Sequence, residues 1–150
     1  KTLVGHSRPV MSVVFSYDNS RVISGSLDNS VRVWNVLNGV CERTHEDFPY
    51  DVRGVSLSID THTLAVACGN WETFGGSQGS LILCDIESGE RLRVLNGHTV
   101  HVRSVSFSSD GERIVSGSWD NSVCVWDVRT GTCIHTIQQH LGPVNCVSFL

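Results

Sequence analysis

The sequence predicts an all-β fold made of about three complete four-stranded units, with one further strand at each end. Two nearly identical stretches of the 150-residue chain, 5–35 and 97–127, predict the repeat, and His98 follows His6 by 92 positions (98 − 6). A weaker copy lies between them, because one hydrophobic landmark recurs at steps of 42, 50 and 42 (57 − 15, 107 − 57 and 149 − 107): Phe15, Leu57, Phe107 and Phe149. The unit therefore has about 42 residues, and the middle unit carries an insertion.

Each unit reads as four short strands separated by turns. In the first unit the predicted strands are Val10 to Phe15, Arg21 to Ser26, Val31 to Asn35 and one near Val40 to Thr44. Alternating Val, Ile and Phe residues bounded by Asp, Asn, Gly and Ser are typical of strands and hairpins, and helical periodicity is absent. The predicted repeats cover about 5–44, 45–96 with the insertion at 71–78, 97–139 and, in part, 140–150.

Four-stranded units of this kind cannot bury both sheet faces alone, so we expect them to stack radially as the blades of a β-propeller. Three blades form an arc that does not close. We expect the rest of the ring to come from the same longer chain or, as the less direct alternative, from a second copy. The chain opens at Lys1 rather than Met and ends inside a repeat, which favours a fragment of a longer protein.

Four polar residues recur with the repeat: His6, Ser24, Asp28 and Trp34, and again His98, Ser116, Asp120 and Trp126. With Gly-His opening each unit, this pattern resembles the WD40 family over essentially the whole chain. The resemblance implies a structural tetrad in which Trp, Ser, His and Asp are hydrogen-bonded in series. A hydrolase triad is the alternative, but a catalytic triad occurs once per site, whereas this set occurs twice at the same spacing.

The middle unit lacks the tetrad. Counting by the repeat, Phe48 stands at the His position, Val66 at the Ser position and Cys84 at the Trp position, while Gln78 replaces the Asp. Losing all four partners together avoids leaving one buried polar group unsatisfied. We therefore expect this blade to be held by apolar packing.

The WD40 resemblance also implies where a partner binds. Family binding positions lie on one rim, called the top face, just before each turn Asp and around the start of each inner strand. On this chain the first set is Leu27, Ser77 and Trp119, and the second is Pro9, Met11, Asp51, Arg53, His101, Arg103, Pro143 and Asn145. Trp119 is the sharpest candidate, because no turn chemistry requires Trp there; packing against a neighbouring blade is the alternative.

Two further features of this rim leave alternatives open. Trp71 and Phe74 lie in the insertion, either as a contact loop or folded back over their own blade. Arg53 and Arg103 align in adjacent blades, either to receive a carboxylate or phosphate of a peptide or to pair locally with Asp51 or with bound water.

Composition limits the other classes of function. The net charge of −4 argues against a nucleic-acid surface, and neither a membrane-spanning stretch nor a signal peptide is present. The six cysteines form no C-x-x-C pair, so we expect no metal site, no cofactor and mostly buried free thiols in a reducing compartment. The predicted location is the cytoplasm, with the nucleus as the alternative.

The predicted function is a non-catalytic scaffold or sensor module that binds another protein or a peptide through the top face. The repeated phrase at 105–118 resembles the WD arrays of fungal NACHT-type, heterokaryon-incompatibility signalling NTPases, which implies a sensing role. The alternative is an enzyme with a site in the central channel, for which Asp51, Arg53, His101 and Arg103 are the only titratable groups at the inner strand starts. A purely structural role in a large assembly is a third possibility that the sequence does not separate from the first.

Overall fold

The computed structural model describes residues 1–70 and 79–149, and this part of the chain contains twelve strands and no helix. The first blade comprises β1 (Val10–Phe15), β2 (Arg21–Ser26), β3 (Val31–Asn35) and β4 (Cys41–His45). The second comprises β5 (Val52–Leu57), β6 (Thr63–Cys68), β7 (Ser80–Asp85) and β8 (Arg91–Leu95). The third comprises β9 (Val102–Phe107), β10 (Arg113–Ser118), β11 (Val123–Asp127) and β12 (Cys133–Ile137).

Each blade is an antiparallel sheet in which the strands follow one another in chain order. Successive connections therefore alternate between two edges of the blade. The loops at 5–9, 46–51 and 96–101 share one edge with the turns after β2, β6 and β10. We call this edge the top face; the turns after β1 and β3, with their counterparts in the other blades, form the bottom face.

The three blades stack through their apolar faces. Ile23, Val31 and Val33 of the first blade pack against Val55, Val66 and Ile82 of the second. All six side chains are almost fully buried. The other face of the second blade meets Phe107, Ile114 and Trp126 of the third in the same way. Burial of such side chains stabilises the stack by about 1.5–3 kcal/mol each. The blades therefore support one another from face to face.

The middle blade is held by apolar residues where its neighbours have tetrads. The pairing register confirms two of the replacements. Val66 pairs with Val55 as Ser24 pairs with Val13 in the first blade. Cys84 pairs with Leu64 as Trp34 pairs with Val22. Phe48, Val66 and Cys84 are all buried in one cluster. The predicted Gln78 lies outside the described residues.

The structure differs from the sequence prediction in three features. β4 begins one residue later than expected. The further strand expected at each end is absent from the described residues, because neither segment pairs with a neighbouring strand. Cys133 and Cys146 are exposed rather than buried, since each lies outside the stacked faces.

His45 joins the first two blades. It ends β4 and is buried, and its Nε2 donates to the Ile86 carbonyl of the second blade at 2.7 Å.

Candidate functional site

The tetrad of the third blade is a continuous hydrogen-bonded chain. The Trp126 indole N–H donates to the Ser116 hydroxyl oxygen at 2.8 Å. That hydroxyl lies 2.7 Å from His98 Nε2, and His98 Nδ1 lies 2.9 Å from Asp120 Oδ2. Because a carboxylate only accepts, His98 donates from Nδ1, and its Nε2 accepts the Ser116 hydroxyl proton. All four groups are satisfied.

The first blade repeats this geometry. Trp34 donates to Ser24 at 2.8 Å, Ser24 lies 2.7 Å from His6, and His6 lies 2.9 Å from Asp28. In both blades the serine hydroxyl is buried and already accepts the indole N–H. These hydrogen bonds tie the strands to the top loops.

The tetrad carboxylates are stabilised in their ionised form. Burial by itself raises the pKa of Asp28, but hydrogen bonds from Ser30, His6 and the Ser7 amide together move that pKa well below its ordinary value. The pKa of Asp120 is lowered by the same balance, with Ser122, the Thr99 amide and His98 as the donors. The negative charge is therefore part of the folded network.

A β-bulge places one residue of each inner strand apart from the sheet. The pairing of β1 with β2 skips from Val10 to Ser12, and that of β5 with β6 skips from Val52 to Gly54. The third blade has the same irregularity between Val102 and Ser104. The unpaired residues are Met11, Arg53 and Arg103, three of the predicted binding positions. A bulge re-aims a side chain, so it is the local device that presents this position.

Charged side chains join the tops of the first two blades. Arg8 Nη1 lies 3.3 Å from Asp51 Oδ1, and Arg53 Nη2 lies 3.1 Å from Asp51 Oδ2. Arg53 also donates from Nε to the Gly69 carbonyl at 2.9 Å. The predicted local pairing of Arg53 with Asp51 is therefore present. A cavity of about 350 Å³ lies above this seam, and Leu27 and Tyr50 contribute to its lining.

The second and third blades meet at the top through His101. Its ring contacts Trp119 edge-on, with centroids 5.7 Å apart, and Trp119 Nε1 donates to Asn145 Oδ1 at 3.3 Å. A Cβ placed on Gly69 would lie only 2.5 Å from the Cβ of His101, so the ring fits because Gly69 has no side chain. Burial lowers the pKa of His101, and the nearby Arg53 lowers it further.

A second cavity, of about 220 Å³, lies at the starts of the inner strands. Four predicted binding residues line it: Met11, Arg53, Arg103 and Asn145. Arg53 lines both cavities, so the two adjoin at this residue. Of the ten predicted binding residues that the structure describes, eight thus lie at these cavities or at the His101–Trp119 contact, and Pro9 and Pro143 do not.

Some of the site differs from the sequence prediction or escaped it. Trp71 and Phe74 lie outside the described residues, as does Ser77. Leu27 and Trp119 occupy equivalent positions, because the amide of each donates to the carbonyl at the start of its inner strand. In the middle blade the Gly69 amide makes this bond, to the Asp51 carbonyl, so Gly69 and not the predicted Ser77 is the equivalent residue. Arg8 was not among the binding positions predicted from the sequence. The available signal was its place in the repeat, since Arg8 directly precedes Pro9, which is the repeat equivalent of Asp51 (51 − 9 = 42).

No group of three or more His, Cys, Asp or Glu residues in the described part of the chain could hold a metal ion. That part also contains no helix long and apolar enough to cross a membrane.

Comparisons with known proteins give similarity to one repeat family. The model of the WD domain, G-beta repeat, matches residues 1–35 and 89–127. Autophagy-related protein 16 of Arabidopsis thaliana is 36% identical over 130 residues, which are 86% of this chain and 24% of that protein. Target of rapamycin complex subunit wat1 of Schizosaccharomyces pombe is 30% identical, over 90% of this chain and 41% of that protein.

Solved structures give the same architecture. The structure of U3-55K superposes with a TM-score of 0.86 at 22% identity, over 99% of this chain and 45% of that one. The WD40 repeats of RRP9 give a TM-score of 0.84 at 23% identity, over 99% of this chain and 44% of the other. The chain spans less than half the length of each of these four proteins.

Proposed function

Because the chain carries WD40 repeats and folds as an arc of propeller blades, we propose that it is a non-catalytic interaction module that binds a segment of another protein through its top face. WD40 repeat proteins generally act as protein-interaction scaffolds. One relative is by name a subunit of a protein complex. This supports a role in assembly for the present chain.

The observation that carries the proposal is the setting of Trp119. Its side chain is half-buried on the top face, and its polar edge is held by Asn145 while His101 supports the ring. A large aromatic side chain fixed in place gives up little conformational freedom on binding, and Trp is enriched among the residues that dominate interface energies. Cavities on the same face could take neighbouring side chains of the partner.

The alternative of an enzyme in the central channel has weaker support. The repeated Ser, His and Asp side chains are engaged in the tetrads. Asp51, the carboxylate at an inner-strand start, is engaged by two guanidinium groups, from Arg8 and Arg53. Both of its oxygens are already in ion pairs, which leaves Asp51 less available as a general base.

The finer parts of the proposal concern the whole protein. The relatives named above support WD repeats and lend no support to the narrower resemblance to fungal signalling NTPases, so a sensing role remains a hypothesis. We propose that the remaining blades come from a longer chain, with a second copy as the alternative. A cytoplasmic or nuclear location, without nucleic-acid or membrane binding, remains part of the same proposal.

The test is partner capture by matched variants. Trp119→Ala should abolish capture of the partners that the wild-type protein retains, measured by quantitative mass spectrometry of the bound proteins. Tyr17→Ala is the control, because Tyr17 is an exposed aromatic residue on the bottom face. Both variants should keep the wild-type melting temperature within a few degrees. Equal capture by both variants at that stability would contradict top-face binding.

A further inference from the structure

We propose that the cavity beside Arg103 receives an anionic side chain, a carboxylate or a phosphate, from the bound partner segment. The inference rests on the proposed function and adds the chemistry of what is recognised. Arg103 is presented by the inner-strand bulge of the third blade, lines the 220 Å³ cavity and is half-buried.

The first step concerns the two arginines that the sequence aligned. Arg53 is buried and held by Asp51 and by the Gly69 carbonyl, so its donors serve the blade seam. Arg103 makes no hydrogen bond or ion pair with any residue that the structure describes. A half-buried guanidinium has lost part of its hydration and offers up to five N–H donors in a fixed planar fork. A bidentate anion matches that fork.

The second step is the local balance of charge. Among the residues that the structure describes, Arg8 and Arg53 share the carboxylate of Asp51, and the guanidinium group of Arg103 lies close enough to Arg53 to repel it. This leaves a local excess of positive charge on a chain whose net charge is −4. Burial lowers the pKa of Arg53; Asp51 opposes that effect, and Arg103 and Arg8 add to it. An anion at Arg103 would relieve this repulsion.

The third step is room. The cavity volume of about 220 Å³ equals roughly seven water molecules at about 30 Å³ each, enough for a carboxylate or phosphate group. Met11 lies at the same bulge position in the first blade and lines the same cavity, with Asn145 nearby as an additional donor. An apolar wall beside a cation suits an acidic side chain with an aliphatic stem.

The repeat supplies the substitution for the test. Arg103→Met places at this bulge the residue that the first blade already carries there, so the fold should tolerate it. Arg129→Met is the matched control, because Arg129 is exposed in the turn after β11 on the bottom face. Melting temperatures should be unchanged for both.

The probes are three peptide libraries with degenerate flanks and a fixed central residue, Glu, phosphoserine or Gln. The wild-type protein should retain the Glu or phosphoserine library about tenfold or more over the Gln library, as expected for a charge-assisted bidentate pair. Arg103→Met should lose this preference, and Arg129→Met should keep it. Whichever of Glu and phosphoserine is retained more strongly identifies the anion.

Equal retention of the three libraries by the wild-type protein, or a preference that survives Arg103→Met, would overturn the inference. Failure to retain any library would also overturn it. These outcomes are separate from the fate of the proposed function. If partner capture depends on Trp119 but not on Arg103, the proposal of top-face binding stands and only the inference of an anionic side chain at Arg103 is overturned.

Discussion

The coupling of Trp126 to Ser116 is the sharpest quantitative consequence of the tetrad geometry. Trp126 is 1% exposed, and its N–H donates to Ser116. Trp126→Phe removes that donor, which costs about 1–3 kcal/mol because a buried acceptor loses its partner. It also removes two ring carbons, which adds about 1.6 kcal/mol at roughly 0.8 kcal/mol each. The free energy of unfolding should therefore fall by about 3–5 kcal/mol.

The double mutant separates the hydrogen bond from the packing loss. Ser116→Ala leaves both the Trp126 N–H and His98 Nε2 without their partner. Once Trp126 is already Phe, only His98 is left unsatisfied. The double mutant should therefore lose less than the sum of the single losses, because it lacks two penalties of about 1–3 kcal/mol each, one for the Ser116 oxygen and one for the Trp126 N–H. Urea unfolding monitored by circular dichroism gives each free energy.

The control cycle joins Ser116→Ala with Trp34→Phe, because Trp34 lies in another blade and bonds to a different serine. Those two losses should add within about 0.5 kcal/mol. Additive losses in the Ser116–Trp126 cycle as well would refute the hydrogen-bonded tetrad as a stabilising unit.

Three other features of the fold lead to direct tests. Gly69→Ala should destabilise the protein by about 1–3 kcal/mol, because the new Cβ would lie 2.5 Å from the Cβ of His101, whereas Gly142→Ala, with nothing within 4 Å, should leave urea unfolding unchanged. The pKa of His101 is lowered in the folded protein, so the unfolded chain binds the proton more readily. The contribution of neutral His101 to the free energy of unfolding is therefore present above the unfolded pKa of about 6.5 and is lost as the pH falls below it. His101→Gln should flatten unfolding free energies between pH 7 and pH 5, and an unchanged slope would argue against this origin. The pKa values of Asp28 and Asp120 are lowered too, so their contribution is present above about pH 4 and is lost on further acidification; Asp28→Asn with Asp120→Asn should reduce the loss seen between pH 4 and pH 3.

The fold was predictable from the sequence because its signals are local and repeated. The β-branched residues of Arg21–Ser26 and the turn residues Asp28 and Asn29 indicate a hairpin within a few positions, and the same pattern recurs in the third unit. The burial of His45 was not predictable in the same way. It depends on Ile86, which lies 41 positions away on the neighbouring blade, and no pattern around His45 records that contact.

The candidate site was predictable only as a set of positions. The repeat aligned Arg53 with Arg103, but the two differ because Asp51 precedes Arg53, whereas His101 stands at the corresponding place before Arg103. The contact from Arg8 to Asp51 crosses between blades, so it follows from the stacking angle rather than from any local motif. The bulge that presents these residues shows itself only in the pairing register.

Site-specific photocrosslinking tests the central claim, binding through the top face, most directly. A photoreactive phenylalanine derivative would replace Thr99 on the top face or Arg129 on the bottom face, both of which are exposed. The account predicts that irradiation in cells joins a defined partner protein to the position-99 variant and not to the position-129 variant. Crosslinking of that partner from position 129 alone, or equally from both, would contradict it.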